Sequence, residues 1–508
     1  MAFQSILFKN EQYRLENEMP GFFTDLNLDQ IVNTITAQKD VYNLKPFFHT
    51  QLSNVDEIKY RQEVMQDLEN EELFSCIKSF AEKMHTMRQY LIYKDKLSYR
   101  YQKERWFLDA VGVYCGAVRT LAHALSNLDL KSEGFIQFRE YLRNYVDSKH
   151  FETLSEQTEK LKGDLSEIKY SIFIKENKVR VQKYESEKNY ADEVLETFEK
   201  FKQGSTKDYR ISFDETIDMN HVEGKILEFV AQLYADTFSE LDTYCAQNAN
   251  YMDKVISRFD REIQFYVSYL EYITPLKKLG LNFCYPEIST SKDEIYDHEG
   301  FDLALAHKLA DENSRVVCND FHLKGKERIF VVTGPNQGGK TTFARTFGQL
   351  HYLSKIGCPV PGSESRLFHY DEIFTHFERE EHINSLRGKL EDDLVRIQRI
   401  LNRATPNSII IMNEIFSSTT LEDALFLGKK ILEEITKLDS FAILVTFMDE
   451  LSRLNEKVVS MVSTVVPEKP EIRTYKILRK PSNGLSYAIS LAKKHRLTYD
   501  QLKERIKE

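Results

Sequence analysis

The stretch Ile329-Phe-Val-Val-Thr333-Gly334-Pro335-Asn336-Gln337-Gly338-Gly339-Lys340-Thr341-Thr342, continued by Phe343-Ala-Arg-Thr-Phe-Gly-Gln-Leu350, decides the reading of the C-terminal part of this chain. Its β-branched, apolar opening predicts a buried strand, and the closing run suits a helix. Between them lies GxxxxGK[ST] in the strand-then-helix context that a phosphate-binding loop requires. Glycines there let backbone N–H groups turn inward onto phosphate oxygens, and the helix N-terminus adds positive potential. Lys340 would then reach the β- and γ-phosphates, and the Thr341 hydroxyl would ligate Mg²⁺. Gly334 through Thr342 are accordingly the candidate nucleotide-binding residues.

Such a loop needs a neighbouring strand that ends in an acid. Ser408-Ile-Ile-Ile-Met-Asn413-Glu414 supplies one, with its polar residues at the end where open α/β sheets bind ligands. Glu414 is the candidate general base, acting with Lys340. Asn413 stands where an aspartate is usual. An amide can hydrogen-bond a metal-bound water but brings no negative charge, so either hydrolysis is weakened or the site tolerates the substitution. Phe441-Ala-Ile-Leu-Val-Thr446 reads as a third buried parallel strand. Strands alternating with helical stretches predict a doubly wound α/β domain from about residue 311.

Upstream the character differs. After Pro46 the next proline is Pro275, and eight of the eleven prolines fall between Pro286 and Pro481. A stretch so poor in helix breakers predicts long helices. Two stripes at steps of three and four agree, Val222-Ile226-Val230-Leu233-Tyr234-Phe238-Leu241 and Phe259-Ile263-Tyr266-Val267-Leu270-Ile273, the latter running up to Pro275. One segment breaks the rhythm. Ile168–Lys175 and Lys178–Tyr184 alternate apolar and polar residues around a Glu176-Asn177 turn, and Tyr209–Phe213 could add a third strand. Residues 163–218 therefore read as a small β-containing insertion. Its cations, Lys169, Lys175, Lys178, Arg180 and Lys183, are candidates for phosphate contacts or else an ordinary solvated strand face. A second basic and aromatic run, Tyr90 to Arg105, has the same two readings, with an amphipathic helix preferred.

Lysine and arginine total 69 against 79 acids, a net charge of −10, which excludes a wholly basic coat for nucleic acid but not a local patch. The six cysteines are widely spaced with no CxxC, so neither a zinc site nor a disulfide framework is indicated. Without an uncharged run of about 18 residues or a basic-then-apolar N-terminus, no membrane association is expected, and a cytoplasmic protein with reduced thiols is.

The loop Thr333-Gly-Pro-Asn-Gln-Gly-Gly-Lys-Thr-Thr342 resembles the TGPNMGGKST loop of MutS-type mismatch-repair ATPases, in which Pro-Asn sets it apart from most phosphate loops. Further segments in family order are Val317-Cys-Asn319-Asp320, Ile356-Gly-Cys-Pro-Val-Pro361, Asp371-Glu-Ile-Phe-Thr375, Ala404-Thr405, Ser417-Ser-Thr-Thr420 and Ser486-Tyr-Ala-Ile-Ser-Leu-Ala492. The resemblance implies a multidomain α + α/β protein: a helical core over residues 1–162 and 219–310 that includes lever helices, a clamp-like insertion at 163–218, and a P-loop (ABC-type) ATPase domain at 311–508. It also implies ATP and Mg²⁺ as cofactors, a homodimer with composite nucleotide sites, and double-stranded or branched DNA as partner. Leu386–Asp393 takes the place of the family's STF signature, so Gly388 and Lys389 stand where Ser and Thr contact nucleotide across the dimer. The family's Thr-His pair reads Thr446-Phe447. Too few residues precede the helical region for a mismatch-reading wedge domain, and Phe138-Arg-Glu140 matches the wedge tripeptide only by chance. The expected function is an ATP-switched clamp on DNA repair or recombination structures. The alternative is an ATP-binding, poorly hydrolysing scaffold for a protein partner.

Overall fold

The computed structural model describes residues 3–9, 13–176, 178–187, 218–312, 314–378 and 388–482, with 498, 499, 502 and 503. It forms two compact units: Met1–Phe3, Glu69–Lys131 and Phe135–Asp260 make the first, and Gln4–Leu68, Ser132–Gly134 and Arg261–Glu508 the second.

The first unit is helical. Glu71–Lys96 and Arg100–Asn127 form its longest antiparallel pair. Leu73, Ile77, Phe80, Met84 and Met87 recur at three- and four-residue steps and are all buried. Asn70 starts the first of these helices by accepting from the N–H groups of Glu72 and Leu73, and Lys94 and Lys96 sit at its negative end. Helices Glu133–Val146 and Lys149–Ser166 follow. Phe138 lies fully buried on Phe259, ring centroids 3.6 Å apart and nearly parallel, so the chance wedge tripeptide is core. In the basic run, Arg100 pairs with Glu104 and Asp242, Arg105 with Asp109, and Tyr90 and Tyr93 pack edge-on against Trp106. Packing and ion pairing occupy these residues.

Strands β1 (Tyr170–Lys175) and β2 (Lys178–Lys183) make an antiparallel hairpin, turned by Glu176 at φ 53°. Residues Tyr209–Phe213 lie outside the described residues. The single helix read from Val222 to Leu241 is in fact two, His221–Leu233 and Ala235–Gln247. Tyr234 leaves helical geometry between them (φ −119°, ψ 46°), and its hydroxyl donates to the Lys169 carbonyl at 2.6 Å. Side-chain periodicity survives such a break, which is why the pattern alone hid it. Helix Lys254–Lys278 begins in the first unit and ends in the second, and it runs one turn past Pro275, whose missing N–H interrupts only its last turn.

The second unit carries the other sheets. Short strands β3 (Phe283–Cys284) and β8 (Val360–Pro361) pair with each other. β4 (Glu287–Ser289), β5 (Glu294–Gly300), β6 (Asn319–Lys324) and β9 (Glu364–Phe368) form a four-stranded sheet in the order β4-β9-β5-β6. The central sheet is built from β7 (Ile329–Thr333), β10 (Ile373–His376), β11 (Ile409–Asn413), β12 (Phe441–Val445), β13 (Val458–Val466) and β14 (Lys469–Arg479), ordered β10-β11-β12-β7-β13-β14. All neighbours are parallel except β13 and β14. The three strands expected from β-branched runs are thus adjacent and buried at every residue. Helices Lys340–Lys355, Lys389–Arg403 and Leu421–Leu438 complete the α/β layers.

Candidate nucleotide-binding site

β7 ends at Thr333, and the loop Gly334–Gly339 leads directly into helix Lys340–Lys355. Gly334 (φ 118°) and Gly339 (φ 90°) occupy backbone that side-chain-bearing residues rarely adopt. At Gly338 the constraint is space: an added Cβ would overlap the Ser463 hydroxyl and lie 3.0 Å from the Pro335 carbonyl. Ser463, on the adjacent β13, donates to the Gly338 carbonyl at 2.7 Å and so clamps the loop to the sheet. Arg473 of β14 donates from Nε to the Asn336 carbonyl at 3.1 Å. Asn319 of β6 ties down β14 nearby, donating to the Tyr475 carbonyl and accepting from the Ile477 N–H. Tyr475, at φ 58° and half exposed, passes beside Gly339.

Lys340 is buried, and its ammonium donates to the carbonyls of Gly334 and Pro335 at 3.2 and 3.0 Å. The same nitrogen lies 4.7 Å from the centre of the Phe447 ring, which is 52% exposed. Burial lowers the Lys340 pKa, opposed by the nearby Glu414 carboxylate and reinforced by Arg473. Thr341 donates its hydroxyl to Asn413 Oδ1 at 2.8 Å, joining the helix start to the end of β11. Asn413 therefore keeps the hydrogen bond that an aspartate would accept, without the charge. Glu414 turns away from β11 at φ 53°, its N–H held by the Val445 carbonyl at 2.9 Å. This turn frees its side chain from the strand pattern.

The remaining expected site residues have other partners. Gly388 begins helix Lys389–Arg403 with open space around its Cα, and Lys389 is ion-paired with Glu378. Glu378 also accepts from Ser417 at 3.0 Å. The acids that follow are not simply a solvated face, because Asp393 is buried against His376 at 3.2 Å. In the hairpin, the register places Lys175, Lys178 and Arg180 on one face with Phe173, while Lys183 shares the opposite face with Ile172, Ile174 and Val181. Lys183 covers the ring of Tyr234 at 4.9 Å, and the Lys169 carbonyl is taken by Tyr234 and the Tyr184 N–H. The five cations do not form a single surface.

Sequence reasoning missed Ser463, Arg473 and Tyr475. They reach the loop from β13 and β14, more than a hundred residues downstream, and no spacing rule connects them to it. Among the described residues no helix is long and apolar enough to cross a membrane.

Residues 330–504 match the family description MutS domain V, and residues 53–279 match the MutS2 N-terminal domain. Among curated proteins, the chain is 27% identical over 300 residues to the DNA mismatch repair protein MutS of Clostridium kluyveri, covering 57% of this chain and 33% of that one. It is 27% identical over 283 residues to that of Syntrophomonas wolfei, and 30% identical over 187 to that of Caldicellulosiruptor saccharolyticus. These alignments span 54% and 35% of this chain, and 32% and 22% of the respective relatives. The matched part thus spans about a third or less of these relatives' length. With the glycine loop, Lys340, Thr341 and the Asn413-Glu414 strand end assembled on one mixed sheet, and with MutS-type descriptions matching residues 330–504 and 53–279, the chain belongs to the MutS family.

Proposed function

We propose that this protein is a MutS-like ATP-binding and ATP-hydrolysing protein that uses nucleotide to control its hold on duplex or branched DNA, working as a cytoplasmic homodimer. One observation carries the reading: the parallel strands β7 and β11 bring the phosphate-loop residues, Thr341 and Glu414 to the same C-terminal end of one sheet. The loop fits a nucleotide. A cradle that excludes even a methyl group at Gly338 leaves its backbone open to close approach by phosphate. Lys340 needs only to exchange two carbonyl partners for phosphate oxygens. Half-exposed Tyr475, whose backbone and Cβ pass beside Gly339, offers its ring as a surface for the base.

The oxygens of Thr341 and Asn413 suit Mg²⁺, which takes hard oxygen donors and keeps several waters. When bound, that ion would neutralise phosphate charge. Lys340 positions the β- and γ-phosphates, and Glu414, freed from the strand by its left-handed backbone, accepts a proton from the attacking water. Turnover is slow because Asn413 brings no charge. Gly388 and Lys389 of a second subunit would approach the γ-phosphate, for which Lys389 must leave Glu378. The hairpin face with Lys175, Lys178 and Arg180 supplies phosphate contacts that carry no sequence information.

The test combines ATP binding with steady-state turnover for the wild type, Lys340→Met and Glu414→Gln, and adds titrations of linear and branched DNA at several salt concentrations. Loss of binding in Lys340→Met and loss of turnover alone in Glu414→Gln support the reading; unchanged turnover in Glu414→Gln removes the base. Tight binding with no turnover and no DNA affinity even at low salt favours a nucleotide-gated scaffold, the reading to which the neutral Asn413 side chain points.

A further inference from the structure

Phe447 is the aromatic neighbour of the loop lysine, and the proposed ATP site leaves it without a task. It follows β12, and its ring is half exposed at the mouth of the site although β12 itself is buried. A phenylalanine so exposed contributes little to a core. Its contact of consequence is the Lys340 ammonium, 4.7 Å from the ring centre, within the range over which a ring face attracts a cation. The preceding residue fixes the ring's position. Thr446 is buried, its N–H donates to the Val332 carbonyl at 3.1 Å, and its hydroxyl accepts from the Met448 N–H at 3.1 Å. The turn carrying Phe447 is thereby bound to β7, the strand that launches the loop.

We propose that Phe447 is a positioning residue that holds Lys340 in a resting pose, folded back on its own loop. The carbonyls of Gly334 and Pro335 and the ring face together satisfy the ammonium when no phosphate is present. A nucleotide carrying a β-phosphate must draw Lys340 off the ring, so Phe447 sets a threshold against binding that acts only on ligands the lysine touches. This inference rests on the ATP reading of the site and specifies how that site discriminates.

The experiment measures Kd for ATP, ADP and AMP with the full-length protein and its Phe447→Leu and Phe447→Tyr variants. Leucine keeps the bulk and removes the ring; tyrosine keeps both. Phe447→Leu is expected to tighten ATP and ADP by about two- to tenfold, the worth of one partly exposed cation–π contact. It should leave AMP unchanged, and Phe447→Tyr should behave as wild type. Unchanged or weakened ATP binding in Phe447→Leu, or an equal change for AMP, overturns the inference while leaving the nucleotide site intact. Failure of the wild type to bind any of the three overturns the proposed function itself.

Discussion

Replacing Asn413 by aspartate separates the two consequences of its chemistry. Asn413 is 9% exposed, accepts the Thr341 hydroxyl at 2.8 Å and immediately precedes Glu414. A carboxylate there would keep that hydrogen bond and make it charge-assisted, about twice as strong as a neutral one. It would also place a second negative charge beside Glu414 in a poorly hydrated position, which costs about 1–3 kcal/mol. The net expectation in EDTA is a loss of roughly 1–2 kcal/mol of stability at neutral pH. The pH dependence has a definite sign. Burial raises the introduced carboxyl's pKa above its unfolded value of about 3.9, so the folded state holds the extra proton. The penalty is therefore present at neutral pH and disappears as the pH falls below both values. With magnesium and ATP the order reverses, because adding one negative charge to a neutral donor pair strengthens Mg²⁺ binding by about tenfold or ~1.4 kcal/mol. Urea denaturation in EDTA at about pH 7 and about pH 3, with magnesium titrations of ATP binding and turnover, tests both halves. Equal stability in EDTA and an unchanged magnesium requirement would refute the placement of Asn413 at the metal.

Other perturbations test the surrounding structure. Gly338→Ala should lower ATP affinity more than tenfold by forcing a methyl group onto Ser463, and Ser463→Gly should restore part of it, as read by nucleotide titration. His351, fully buried in helix Lys340–Lys355 and donating from Nδ1 to the Phe347 carbonyl at 2.8 Å, has its pKa lowered to about 4 by burial. The unfolded chain holds that proton below about pH 6.5, so stability should decline from pH 6.5 to 4 by up to about 3 kcal/mol. Chemical denaturation across this range should show the slope, and His351→Leu should flatten it. On the hairpin, changing Lys175, Lys178 and Arg180 together to alanine should weaken DNA binding and reduce the salt slope by roughly 0.9 per lost contact. Lys183→Ala, on the opposite face and engaged with Tyr234, should leave the slope unchanged.

The legible parts of the fold share a physical origin. β7, β11 and β12 are buried on both faces and so are written as continuous β-branched runs. The loop between β7 and its helix was equally legible because backbone geometry at Gly334 and Gly339 and lack of space at Gly338 restrict residue choice. The four-stranded sheet was not foreseen. Its strands are short and half exposed, and its order β4-β9-β5-β6 joins segments far apart in the chain. The break at Tyr234 was invisible for a related reason, since a tertiary hydrogen bond to Lys169 favours it and the local pattern carries no sign of that partner. At the site, the residues fixed by local chemistry could be named from the sequence. The clamp from Ser463 and Arg473 depends on which strand lies next to β7, which is a property of the sheet and not of any segment.

Asn413 and Phe447, read separately as losses, act on the same charge balance. Among the described residues, Lys340 and Arg473 are cations held at the loop, and the field of the Glu414 carboxylate reaches Lys340. An aspartate at 413 would add a second negative charge and bring this cluster near neutrality. With asparagine there, the cluster retains about one positive charge before any ligand arrives, in a setting where burial strengthens every such interaction. A polyphosphate is then attracted without first recruiting a metal ion. Phe447 offsets part of that attraction by giving Lys340 a partner that carries no formal charge. Under the proposed ATP reading, the pair would move selectivity away from metal-dependent affinity and towards the number of phosphates that the lysine can reach, as expected of a site that senses nucleotide more than one that turns it over quickly.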